Sequence, residues 1–127
     1  MPYDLRYNDA LRAIELVFNG ILSAEDLRKC TSEGIDLQNE RHVYAVLINA
    51  LDLESAPSIM EVYDLPRQYE ERGFRKANRL ALVWPKVPAA RHIAVFYDTV
   101  CNNRGWKVQP FDARDEAVAW LTSNGPS

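Results

Sequence analysis

A chain of 127 residues suits one domain with a single core, and its 47% apolar and 26% charged residues match the globular average, which argues against disorder. A formal net charge of −3 provides no basic excess for nucleic acid. The longest apolar runs, 43–48 and 80–84, are strand-sized and far below the ~18 residues of a membrane-spanning helix.

Residues 3–7 read as a short first strand, followed by the turn signal Asn8-Asp9. Residues 13–18 alternate, with Ile14, Leu16 and Phe18 on one side and Glu15 on the other, which suits a strand pairing back as a hairpin and ending at Gly20. Ser23 is placed as a helix N-cap with Asp26 three residues on, and Leu22 and Leu27 are spaced as a hydrophobic staple. Leu27, Cys30, Gly34 and Leu37 then fall on one helical face, where Gly34 would allow close approach to the sheet. Residues 43–50 are almost continuously apolar, as in a strand covered on both faces.

Ser58 followed by Glu61 predicts a capping box opening a short helix. Pro66 predicts a break near Asp64-Leu65 and a restart, and Gly73 an end to the second piece. Residues 79–84 form another buried-type strand, stopped by Pro85. After Pro88 comes an amphipathic helix with Ile93, Phe96, Tyr97, Val100 and Cys101 on one face and Gly105 at its C-terminal end. Residues 106–111 make the last strand. Asp112 is the expected cap of a final helix that buries Ala117, Trp120 and Leu121. The order β-β-α-β-α-β-α-β-α predicts one α/β domain over residues 1–127: a five-stranded mixed sheet, opened by a hairpin and flanked by about four helices.

Residues 3–121 resemble the SpoIIAA-like family of small bacterial proteins, within the STAS superfamily and related to the CRAL-TRIO lipid-transfer fold. Three stretches carry the resemblance: Phe18-Asn19-Gly20-Ile21-Leu22-Ser23-Ala24-Glu25-Asp26-Leu27, Arg79-Leu80-Ala81-Leu82-Val83, and Asn103-Arg104-Gly105-Trp106-Lys107-Val108 with Phe111-Asp112, Glu116-Ala117 and Trp120-Leu121. The resemblance implies no cofactor, no catalytic activity and a protein partner. Members of the anti-anti-sigma type are switched by phosphorylation of a serine in an Asp-Ser-Ser/Thr-Gly-type loop after the third strand. Here the corresponding stretch reads Leu51-Asp52-Leu53-Glu54-Ser55-Ala56-Pro57-Ser58 and departs from that pattern, leaving Ser58, at a helix start, as the candidate phosphoacceptor.

Catalytic and metal signals are weak. His42 precedes the third strand and His92 lies on the polar side of its helix, so both read as exposed. There is no nucleophile elbow, no Gly-rich phosphate loop and no ligand pair at metal spacing. Cys30 and Cys101 are too few for a disulfide framework and read as buried small hydrophobes. The opening Met1-Pro2-Tyr3-Asp4 lacks a secretory pattern, so a cytoplasmic location is expected. Arg72, Arg75, Lys76 and Arg79 read as a solvated basic turn, and Asp52, Glu54, Glu61 and Asp64 as a complementary acidic set if two copies associate.

Topology singles out one region. Open α/β sheets bind ligands beyond the C-terminal ends of their strands, and those ends gather Asp52, Ser55, Ser58, Trp84, Lys86 and Asp112. Tyr63 and Trp84 would supply apolar surface. Two readings follow: a non-enzymatic module binding a protein partner, with self-association into a homodimer as one form, and an apolar small-molecule or lipid-binding domain. The second requires a cavity of about 300 Å³ or more between helices and sheet.

Overall fold

A computed structural model describes residues 2–43, 45–74, 76 and 79–123. Among them five strands form one sheet: β1 (Tyr3–Asn8), β2 (Ala13–Ile21), β3 (Ala45–Ser55), β4 (Arg79–Val83) and β5 (Lys107–Phe111). They lie side by side in chain order, with β1 antiparallel to β2 and the remaining pairs parallel. The helices are α1 (Ala24–Arg41), α2 (Ile59–Tyr63), α3 (Leu65–Glu71), α4 (Pro88–Asn103) and α5 (Arg114–Leu121).

Parallel neighbours need crossovers, and these are right-handed. Stepping always in one direction across the sheet, they place α1, the α2–α3 pair and α4 on the same face. The main core forms there, joining Phe18, Ile48, Leu80, Leu82 and Val108 of the sheet to Leu27, Cys30, Val62, Leu65, Tyr69 and Tyr97 of the helices. The opposite face is left to α5, whose Ala117 and Leu121 cover Leu47, Ala81 and Val83.

Local chemistry accounts for most element ends. The Ser23 hydroxyl accepts from the Asp26 N–H (3.1 Å) and donates to its carboxylate (2.9 Å), and Leu22 and Leu27 are both buried as the staple requires. His42 closes α1 in the left-handed conformation (φ 56°), its N–H donating to the Gln38 carbonyl. The break predicted before Pro66 separates α2 from α3. Gly105, at φ 91°, follows α4 where a side chain would be strained.

Several expectations are corrected. β2 does not stop at Gly20: it continues to Ile21 through register shifts against β3, with Gly20 itself at φ 64°. β3 runs on to Ser55, because its end is paired with β2 as far as Ile21. In α1 the buried positions are Leu27, Cys30, Ile35 and Gln38, so the inward face lies one residue away from Gly34 and Leu37. In α4, Ile93 and Phe96 are only partly covered, while Ala90 and Ala94 are buried. The final helix is capped by Ala113 without a side-chain bond, because Asp112 instead accepts from Arg91 (3.0 Å). Ser58 does precede α2, but neither it nor Glu61 forms the capping box: Glu61 accepts from Arg28 (3.1 Å). Arg75 lies outside the described residues.

Glu15 was read only as the polar side of a strand, yet it is 2% exposed. Its carboxylate accepts from Arg114 (3.0 and 3.2 Å), Asn8 (3.0 Å) and Arg6 (3.3 Å), joining α5 to the hairpin. Burial by itself raises its pKa; the bonds from Arg114, Asn8 and Arg6 outweigh that and hold it below the ordinary value of 4.5. A carboxylate with a depressed folded-state pKa contributes stability that is present above its unfolded pKa and fades as pH falls through the folded one. Glu15→Gln is therefore expected to cost about 2–3 kcal/mol in urea denaturation at pH 7. Its deficit against the wild type should shrink steadily below pH 4.5. Gly34→Ala should instead stabilise by about 0.5–1 kcal/mol, since an added Cβ meets only Leu5 Cδ1, at an ordinary 4.0 Å; a lower melting temperature would show that α1 packs more tightly there.

Candidate partner-binding edge of the sheet

The C-terminal ends of β2, β3, β4 and β5 share one edge, and the predicted residues divide into two groups along it. In the first, Lys86 Nζ stands 4.0 Å from Asp52. The Lys86 N–H donates to the Leu51 carbonyl and the Trp84 N–H to the Phe111 carbonyl, tying the strand ends together. Arg91, missed by sequence reasoning, is the hinge of this group: its guanidinium lies 5.4 Å from the centre of the half-buried Trp84 ring and donates to Asp112. Each of these charges already has a partner and is well exposed, so the group is a solvated rim, with each pair contributing little to stability.

The second group is apolar. α2 packs on α4, with the Tyr63 ring 6.4 Å from Phe96. Only Val62 of α2 is buried. Ile59 and Met60 face solvent with Tyr63, Met60 at 73% and Tyr63 at 54% exposure. Val87 at the start of α4 and Ile21 at the end of β2 (74% exposed) add further apolar area near this edge, and Val95 is exposed farther along α4. Sequence reasoning found Tyr63 but not the others; the one available signal was that a five-residue helix has room for only one inward side chain. Ser58 stands exposed at the start of α2 and its side chain makes no cap hydrogen bond, while Ser55 is engaged through its carbonyl, which accepts from the Leu22 N–H (2.9 Å). Arg28 and Glu61 bridge α1 to α2 at the rim.

Behind α2 and α3, between the helix layer and the sheet, is an apolar cavity of about 90 Å³ reached by Phe18, Leu27, Ile48, Val62, Leu82 and Ile93. It is well below the ~300 Å³ a small-molecule pocket requires. Its lining includes Thr31 and the hydroxyls of Tyr69 and Tyr97, the latter two 2.9 Å apart and held by burial well above the ordinary tyrosine pKa. Cys30 borders the same space, and Cys101 is on the buried face of α4; burial pushes both thiols up to about 12. His42 and His92 are both exposed. Among the described residues no three His, Cys, Asp or Glu side chains gather as a metal site, and no helix is long and apolar enough to cross a membrane. The basic turn is spent within the fold: Arg72 donates to Ser32 and Asp36, Lys76 faces Glu70, and Arg79 donates to the Trp120 and Ser123 carbonyls.

The architecture is found in solved structures. The anti-sigma factor antagonist SpoIIAA in its unphosphorylated form superposes with a TM-score of 0.67 over 94% of this chain and 95% of its own, at 15% identity. The chain has the SpoIIAA-like fold. An uncharacterised protein of the DUF3478 family from Shewanella loihica PV-4, itself described as SpoIIAA-like, matches with a TM-score of 0.58 at 17% identity, covering 94% of this chain and 91% of that one. The Bacillus cell fate determinant SpoIIAA in its phosphorylated form matches with a TM-score of 0.59 at 16% identity, covering 94% and 98%. No protein-family model and no curated protein matches the chain. Sequence identity this low carries the SpoIIAA-like architecture and leaves the chemistry of the edge to be argued from its own residues.

The two thiols test the burial of this helix layer directly. Neither Cys30 nor Cys101 is expected to react with a disulfide-exchange reagent at pH 8 faster than the domain unfolds globally. Rapid labelling of Cys30 alone would show that α2 and α3 open independently of the sheet.

Proposed function

We propose that the domain is a non-enzymatic regulatory module that binds a protein partner through the α2–α4 surface at the C-terminal edge of its sheet. The observation carrying this reading is the pair Met60 and Tyr63, large apolar side chains held in solvent by a short helix and framed by polar and charged residues. Apolar area of that kind, rimmed by charge, is what protein interfaces use at their centre. The shared fold with an anti-sigma factor antagonist supports the same reading. The small-molecule reading is not favoured, because the cavity is too small.

Ser58 is the phosphoacceptor in this proposal. Its hydroxyl is exposed beside Met60, so a phosphate there would place a dianion at the rim of the apolar surface and next to Glu61. That a SpoIIAA structure exists in a phosphorylated form supports such a switch on this fold. A photo-crosslinking residue at position 63 should yield a discrete protein adduct in cells, and one at the exposed Gln109 should not. Met60→Glu should reduce the adduct by roughly tenfold, the effect of losing about 1.4 kcal/mol at an interface, without lowering the melting temperature, and Ser58→Glu should reduce it in the same direction. Equal adducts from positions 63 and 109 would remove the proposal.

A further inference from the structure

The two edges of the sheet are treated differently. At β5, Pro110 cannot donate a ladder hydrogen bond, and the Asn102 side chain covers Val108 from outside, donating to its carbonyl (3.1 Å) and accepting from its N–H (3.4 Å). At β1 no such guard exists among the described residues. The Asn19 N–H donates to the Pro2 carbonyl (2.9 Å), which makes Pro2 and Asn19 a hydrogen-bonded pair. Alternation then turns the backbone groups of Asp4, Arg6 and Asn8 toward β2, and those of Tyr3, Leu5 and Tyr7 away from the sheet. Each of these three residues offers one N–H and one C=O, and among the described residues no hydrogen bond outside the ladder reaches them.

This open ladder borders a shallow, open surface between β1 and the outer flank of α1. Its apolar floor is Leu5 and Leu37, and its α1-side charges are Glu33, which accepts from the Tyr3 hydroxyl, Asp36 and Glu40, with no basic residue in the lining; the Asp4 side chain alternates to the opposite face with Arg6. Arg72 meets Asp36 with its guanidinium from the α3 side (2.7 Å), and Arg41 lies over the Tyr7 ring. A second copy laid against β1 would bring its own Glu33, Asp36 and Glu40 toward the same three residues, which opposes self-pairing.

We propose that the free edge of β1 accepts an extended, basic segment of a partner protein as a sixth strand. Main-chain hydrogen bonds to Tyr3, Leu5 and Tyr7 would provide the pairing. Lysine or arginine at alternate positions of the segment, pointing to the α1 side, would meet the carboxylates, while small apolar residues between them reach the other face. This edge lies at the opposite flank of the sheet from α4 and β5, so the proposal stands apart from the partner surface at α2.

The test uses two synthetic peptides, an alternating lysine–valine heptamer and its glutamate–valine counterpart, with affinity and amide hydrogen exchange as readouts. The lysine peptide is expected to bind with strong salt dependence and to slow exchange at the Tyr3, Leu5 and Tyr7 amides. Glu40→Lys, at an α1 side chain with no ion pair or hydrogen bond to another side chain among the described residues, should weaken it roughly fivefold. Equal binding of the two peptides, or binding without protection of those three amides, overturns the proposal. So does ultracentrifugation showing a dimer that protects the same amides, which would make a second copy the occupant.

Discussion

The direction in which the parallel strands are laid down constrains everything else in this molecule. Strands β2 to β5 are added one after another in the same direction, and right-handed crossovers then force α1, α2–α3 and α4 onto one face. That face becomes a conventional core. The other receives a single eight-residue helix, which packs chiefly on β3, β4 and β5. Glu15 ties the hairpin to this helix by accepting from an arginine of α5 while also holding Arg6 and Asn8 of β1.

The same topology decides where binding surface is available. All parallel strands end at one edge, and the chain must leave that edge to begin each crossover. Between β3 and β4 the connection includes a helix of only five residues, too short to bury more than Val62, and its remaining apolar side chains are left facing outward. Elsewhere apolar and titratable groups are absorbed. Tyr69, Phe74 and Trp106 stack in edge and tilted contacts at 4.9 to 5.4 Å, and the two cysteines are buried with their thiols protonated. The exposure at α2 stands out because three of its five side chains are large, apolar and exposed, whereas most apolar side chains of α1, α3 and α4 are buried or partly covered.

Local signals made much of this legible in advance. Continuous apolar runs located β3 and β4, alternation located β2, and Ser23, Pro66 and Gly105 marked a helix start, a break and an end, each through a short-range backbone requirement. The misread ends share a cause. Asp112 and Glu61 are sound capping residues by type, but each was drawn off by an arginine distant in sequence, Arg91 and Arg28 respectively. The face of α1 was misjudged by one position because Gly34 and Leu37 suit an inward stripe as well as Ile35 and Gln38 do; only the placement of α1 over β1 and β2 chooses between them.

The candidate edge was legible to the same depth. Its location was expected from strand polarity, and the strand ends bring Asp52 near Lys86 and Asp112 to Arg91 over Trp84, while Ser55, Ser58 and Tyr63 follow the end of β3. Its division into a paired charged rim and an apolar surface did not, because exposure depends on what the neighbouring helix covers. The amino-acid sequence determined the elements and their polarity, since caps, turns and periodicity act within a few residues. Tertiary structure alone decided that Glu15 is buried, that Met60 is not, and that among the described residues the edge of β1 is uncovered while Asn102 covers Val108 of β5. Burial and pairing are properties of surfaces brought together from distant parts of the chain, and no local pattern encodes them.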